Sequence, residues 1–242
     1  MIGLTAEATQ RPPRPARHTG RLLLWIGGGV LAVLLVGLVA FVTIQPVQVL
    51  PRMTLAPAFD LVDQNGNRLT SEDQRGKLTL YSFTYTNCGA GCAQTGPAVQ
   101  AIQERLKTLD TYDVPVQLVT IAVDPARDTP ERIAAYAGEY GADPDVWRIV
   151  TGDAARVKGV VGGGFEVYYD ADSVQPDGTF AFEPDFVLAD GNGIMRARYR
   201  TEALDPETAA RHFELVAREV RDSDGPARLA YEAAHLFVCY AD

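Results

Sequence analysis

Residues Leu78–Leu109 read LTLYSFTYTNCGAGCAQTGPAVQAIQERLKTL. The opening LTLYSFT is rich in β-branched and aromatic residues, which fit a pleated sheet. Beyond Gln94 the apolar residues Val99, Ile102, Leu106 and Leu109 recur at helical spacing, which predicts a helix over Gln94–Leu109. Between strand and helix lie Cys88-Gly89-Ala90-Gly91-Cys92. This junction sets both sulfurs near a helix N-terminus, whose partial positive charge stabilises thiolates. A thiolate is the nucleophile of disulfide exchange and a soft ligand for copper(I) or zinc. By spacing alone the pair is open to three readings: a redox dithiol, a metal site that needs further donors, or an inert structural disulfide.

The segments on either side repeat the alternation. Phe59–Val62 reads as a short strand and Gln64–Asn67 as a turn; Val116–Val123 (VQLVTIAV) is apolar enough for a strand buried on both faces. Asp128-Thr129-Pro130-Glu131 opens a helix to about Tyr140, with Pro in its first turn. Trp147–Val150 is a strand, and Asp153–Val161 a helix ended by Gly162-Gly163-Gly164. Phe186–Leu188 and Ile194–Tyr199 are strands joined at Asp190-Gly191-Asn192-Gly193, a hairpin signal, and Asp205–Val220 is a closing helix. Strands alternating with helices, then a hairpin and a helix, give a layered α/β domain of thioredoxin-like order over residues 57–222.

Composition limits what such a domain does. The 242 residues carry 22 Lys or Arg against 31 Asp or Glu, a net charge of −9. Nucleic-acid binding requires a concentrated basic face, so it is not expected. Three cysteines are too few for a disulfide-stapled scaffold.

The charge is uneven. Residues 1–21 hold Arg11, Arg14, Arg17 and Arg21 against Glu7 alone, and form a basic tail. Leu22–Ile44 follows without a charge. At ~1.5 Å per residue it spans roughly 34 Å, enough for a bilayer core. A cleaved signal peptide has a shorter apolar stretch and a small-residue cleavage site, which FVTIQPVQVLP lacks, so an uncleaved single-pass anchor is expected. The arginines place the N-terminus in the cytoplasm and the main domain outside it, in a compartment where disulfides persist. Residues 45–56, with two prolines, read as a linker.

Two segments carry a resemblance to a known family. GKLTLYSFTYTNCGAGC, with Tyr85, Thr86, Cys88 and Cys92, and VDPARDTPERIAAYAGEYG (Val123–Gly141) are similar to the two signatures of the Sco/SenC family. That family is thioredoxin-like and assists copper-centre assembly in cytochrome c oxidase. The resemblance, over roughly residues 57–221, implies copper held by Cys88 and Cys92 together with a distal His. It also implies a respiratory oxidase copper-binding subunit, or another thiol protein, as partner. Asp124, Arg127 and Asp128 belong to the second signature and are expected to fix the loop beside the cysteines.

The distal His is missing. Counting back from Leu188 reaches Phe182, and the chain's histidines are His18, His212 and His235. His18 precedes the apolar run, and His212 falls in the closing helix with a core or solvated role. The stretch Phe182-Glu183-Pro184-Asp185 is similar to the proline-bearing loop of thioredoxin-like oxidoreductases. It makes Glu183 and Pro184 candidates for binding a substrate peptide, with a cis bond before Pro184 favoured over trans. Without imidazole, two sulfurs suit copper(I) better than copper(II). The favoured reading is therefore thiol–disulfide exchange at Cys88 and Cys92 during oxidase copper-centre assembly, with copper(I) binding as an accompaniment. The alternative is a non-enzymatic copper chaperone that uses both cysteines and an unidentified third donor.

After Gly225-Pro226, residues 223–242 form a helical tail in which His235 and Cys239 are four apart. Packing against the domain is the favoured role of this pair. The sharper alternative has His235 or Cys239 reaching Cys88 and Cys92 to replace the missing His. Asp170–Asp177 (DADSVQPD) reads as a solvated acidic excursion rather than a cation site.

Overall fold

The computed structural model describes residues 18–44, 47–89, 91–223, 225 and 227–237. It consists of two units, Met1–Pro46 and Val47–Asp242. In the first, α1 (His18–Ile44) is one uninterrupted helix. Its Gly20–Thr43 stretch is long and apolar enough to cross a membrane.

The second unit is built on a mixed seven-stranded sheet. Its strands are β1 (Asp60–Asp63), β2 (Arg68–Thr70), β3 (Leu78–Thr84), β4 (Val116–Ala122), β5 (Trp147–Thr151), β6 (Phe186–Ala189) and β7 (Met195–Tyr199). Their order is β2-β1-β5-β4-β3-β6-β7. Strands β3, β4 and β5 run parallel, and a parallel pair needs a crossover connection. These crossovers carry α2 (Thr95–Leu106) and α3 (Pro130–Glu139). The β6–β7 hairpin pairs antiparallel with β3, and the β1–β2 hairpin antiparallel with β5.

Every residue of β3 is buried, because helices cover one face of the sheet and the 157–182 region the other. On the helical face, Leu78, Leu80 and Leu118 pack with Val99 and Ile102 of α2, Ile133 of α3, and Phe213 and Val216 of α5 (Pro206–Asp222). On the opposite face, Tyr81, Phe83, Val119 and Ile121 pack with Val161, Phe165 and Phe180. The alternation of side chains along a strand sorts these two sets.

Local chemistry explains several boundaries. Asp63 Oδ1 accepts the amides of Asn65 and Asn67 at 2.9 and 2.8 Å, closing the turn between β1 and β2. Asp205 caps α5 by accepting Thr208 N–H at 2.8 Å, and Pro206 follows at the first helical position. The three-residue β2 has no signal in the sequence beyond that turn.

The helix read at Asp153–Val161 is α-helical only in α4 (Ala154–Val157), then widens into a π-helical turn over Lys158–Gly164. Its glycines permit close approach: a Cβ on Gly164 would lie 2.7 Å from Pro57 Cγ. The segment read as a linker packs against the domain, whereas the tail is helical as read. Val49 and Leu50 are buried, and Met53 and Thr54 exchange main-chain hydrogen bonds with Met195. In the tail, α6 (Arg228–Phe237) buries Tyr231 and Ala234.

Candidate functional site

Cys88 and Cys92 follow the C-terminal end of β3 and are joined by a disulfide, with Cα atoms 5.8 Å apart. The chain turns on either side of the pair, with Cys88 N–H donating to Tyr85 O at 3.0 Å and Thr95 N–H to Cys92 O at 3.1 Å. The second bond lies at the entry to α2, as read from the sequence. The two cysteines are not equivalent. Cys92 is 2% exposed and belongs to the apolar cluster, whereas Cys88 is only partly buried. Thr84, the last residue of β3, donates its hydroxyl to Cys92 Sγ at 3.7 Å.

The loop is held from two sides. Asp128 Oδ1 accepts the amide of Thr86 at 2.9 Å and also its hydroxyl. Arg127 pairs with Asp124, whose main-chain carbonyl accepts Asp128 N–H at 2.7 Å. The Asp124–Asp128 turn thus fixes the residues leading into Cys88, as the sequence reading expects of them. Burial pushes the Asp128 carboxyl above its ordinary range, against the pull of the Thr86 bonds. Its Oδ2 is buried without a hydrogen-bond partner.

On the second side lies the acidic excursion. Asn87 Nδ2 donates to Asp177 O at 3.1 Å, and Gly178, at φ +85°, leaves room for Asn87 and Arg127. The Tyr85 ring stacks on Phe180 with centroids 4.1 Å apart, and Phe182 meets it edge-on at 6.0 Å. Asp172 and Asp177 of the excursion are exposed, and the aromatic residues that follow it turn inward: Phe180 belongs to the cluster against which Cys88 and Phe182 pack.

The expectation of a cis bond before Pro184 needs correction. Among the described residues no peptide bond is cis, so the bond before Pro184 is trans. Phe182 bridges Tyr169, and Glu183 N–H donates to Tyr168 O at 3.0 Å. That amide is spent on internal pairing rather than offered to a peptide.

The histidines are held elsewhere. His212 is buried against Tyr199, its Nδ1 bonded to the Tyr199 hydroxyl. His235 Nε2 lies 2.9 Å from Glu219 Oε1. Glu219 pairs with Arg196, and Arg196 with Asp190, which follows the residue paired with Thr79 at the start of β3. The length of β3, ~20 Å at ~3.3 Å per residue, therefore separates His235 from the cysteines, so it does not serve as their third donor. Cys239 lies outside the described residues.

Once reduced, the pair offers two soft sulfur donors. Among the described residues no group of three His, Cys, Asp or Glu is placed to hold a metal. That donor set fits copper(I) and does not supply the imidazole of a three-donor copper(II) site. Thr84 escaped the sequence reading because it looks like an ordinary β-former closing an apolar strand; its position four residues before Cys88 was the available signal.

Comparison with known proteins agrees with this architecture. A putative copper-binding protein of Stutzerimonas stutzeri is 34% identical over 96 residues, 40% of this chain and 46% of its own length. Across the first three curated relatives the chain spans between 46% and 64% of their length. A SCO1/SenC family lipoprotein from Bacillus anthracis shares the fold with TM-score 0.60 and 23% identity, over 69% of this chain and 97% of that one. The structure of Bradyrhizobium japonicum ScoI with copper bound matches with TM-score 0.54 and 27% identity, over 67% of this chain and 99% of that one. A family model covers residues 48–218, from the buried start of the domain to the last turns of α5, and by that match the chain belongs to the SCO1/SenC family.

Proposed function

We propose that this chain is a membrane-anchored protein that assists assembly of a respiratory oxidase copper centre by thiol–disulfide exchange at Cys88 and Cys92. The N-terminus is cytoplasmic, the domain lies outside the cytoplasm, and the reduced pair takes copper(I) as cargo. The partner is the copper-binding subunit of the oxidase or another thiol protein. The observation that carries the reading is the disulfide itself: one sulfur is partly open to solvent, the other buried, and no third donor accompanies them among the described residues.

The asymmetry assigns the roles. A partner thiolate attacks the accessible Cys88 Sγ, and the S–S bond breaks with its electron pair moving to Cys92 Sγ. The mixed disulfide on Cys88 is resolved by the partner's second thiolate, which attacks the partner sulfur and releases Cys88 as a thiolate. The partner dithiol loses two electrons and becomes a disulfide; its two protons pass through solvent to the cysteine pair. In the opposite direction the Cys88 thiolate attacks a partner disulfide and Cys92 resolves it. Copper(I) binding belongs to the reduced state alone.

The test uses the full chain in detergent micelles, titrated with copper(I) and copper(II), alongside the equilibrium of its disulfide with a glutathione buffer. A readily exchanged disulfide, copper(I) binding lost in Cys88→Ser and feeble copper(II) affinity support the proposal. Tight copper(II) binding with a thiolate charge-transfer band would establish the chaperone alternative. A reduction potential below about −300 mV marks an inert bridge and defeats both readings.

A further inference from the structure

Resting on the exchange reading above, we infer that the Thr84 hydroxyl is a catalytic group for the disulfide and that Tyr136 positions it. When a thiolate attacks Cys88, negative charge gathers on Cys92 Sγ as the S–S bond breaks. That sulfur is 2% exposed, so water has little access to it. A sulfur that gains charge in a dry site needs a donor already in place. Thr84 Oγ1 supplies one, donating to Cys92 Sγ at 3.7 Å from a residue itself 2% exposed.

The backbone leaves the Thr84 side chain little freedom to turn away. Thr84 is the last residue of β3 and stays in register with Ala122 of β4, so the sheet fixes the direction of its side chain. Alternation puts it on the same face as Ser82, whose Oγ lies 2.8 Å from Thr120 Oγ1; Thr120 in turn accepts Trp147 Nε1–H at 2.8 Å. Thr120, Ser82 and Thr84 thus put buried hydroxyls on the face covered by α2, α3 and α5, and Thr84, at the strand end, meets the sulfur.

Tyr136 closes the arrangement from α3. Its hydroxyl interacts with the Thr84 side chain, and burial pushes its ionisation far up, so it stays a neutral donor. Thr84 carries one hydroxyl proton, so with that proton directed to sulfur the Tyr136 O–H is the donor left for Thr84 Oγ1. Gly96, in the first turn of α2, makes the approach possible: a Cβ there would lie 2.6 Å from the Tyr136 hydroxyl and 2.6 Å from the Tyr140 ring. The order is therefore Tyr136 to Thr84 to Cys92, with electrons moving only between sulfurs and the hydroxyls stabilising charge without changing oxidation state.

The experiment compares full-length wild type, Thr84→Val, Thr84→Ser and Tyr136→Phe. The readouts are the rate of disulfide reduction by dithiothreitol and the equilibrium constant against glutathione. Thr84→Val keeps the shape and removes the donor. It slows reduction about tenfold and moves the equilibrium constant about tenfold toward the disulfide, or about 30 mV. Thr84→Ser restores both to within about twofold. Tyr136→Phe gives a smaller loss, which disappears on the Thr84→Val background. Rates in Thr84→Val within twofold of wild type would overturn the assignment, as would a Thr84→Ser chain as slow as Thr84→Val. A wild-type disulfide that dithiothreitol does not open refutes the exchange reading itself, a result distinct from either.

Discussion

Thr86 gives both its main-chain N–H and its hydroxyl to a single oxygen of Asp128, with the amide 2.9 Å away. That carboxylate is 1% exposed and is the main tie between the loop after β4 and the approach to Cys88. Removing the acceptor in Asp128→Ala strands a part-buried N–H. It costs about 1–3 kcal/mol in urea denaturation and loosens the cysteine loop to hydrogen exchange.

The same carboxyl gives a pH signature. Burial raises its folded pKa above the ordinary 3.8. The folded protein therefore binds this proton more readily than the unfolded chain. The associated stability is present below 3.8 and is lost as pH rises through the folded value. Asp128→Asn does not titrate, so paired denaturation curves should show it gaining on wild type as pH rises from 3.8 through the folded value. A constant gap across that range would contradict the assignment.

At the far end of the sheet the sign is reversed. Burial pushes Glu219 up, but the bond and charge of Arg196, with His235 and Arg52, outweigh it and hold the carboxyl below 4.5. Its contribution is present above 4.5 and is lost as pH falls through the folded value. Glu219→Gln should cost about 3 kcal/mol at pH 7, because it leaves Arg196 without one of its buried partners. The variant's acid unfolding limb below pH 4.5 should also be flatter than wild type.

Exposure separates the two thiols after reduction. Cys88 is partly open and Cys92 is 2% exposed. Iodoacetamide should therefore alkylate Cys88 at least about tenfold faster, read as Cys92→Ser labelling against Cys88→Ser labelling. Equal rates would remove the basis for assigning attack to Cys88.

Gly96→Ala tests the close approach of α2 and α3. The added methyl would sit 2.6 Å from two tyrosine side chains, and the helix backbone cannot retreat without losing Val99 and Ile102 from the core. Overpacking of this kind costs about 1–3 kcal/mol by denaturant titration.

The elements carrying the site were legible because their signals are local. The apolar run at Val116–Val123, the Pro at residue 130 and the Asp-Gly-Asn-Gly turn each specify their own geometry, and the structure places β4, α3 and the β6–β7 hairpin there. The cysteine junction was legible for the same reason. What failed depended on distant partners. Pro184 resembles a cis-proline loop in sequence, but pairing of Phe182 and Glu183 with Tyr169 and Tyr168 decides the backbone there. Nothing near His235 in sequence indicates Glu219, and Leu50 gives no local sign that its carbonyl accepts Arg196 at 2.8 Å. Tertiary contact overrode local pattern at each of these places.

The Cys88–Cys92 bridge closes a ring across a sequence separation of only 4. A ring that small removes little freedom from the unfolded chain, about 2 kcal/mol by loop entropy. The sheet and its two apolar layers hold the domain together without it. On the proposed exchange, opening the bridge would forfeit only that increment, so its oxidation state would follow the surrounding thiols more than the folding equilibrium.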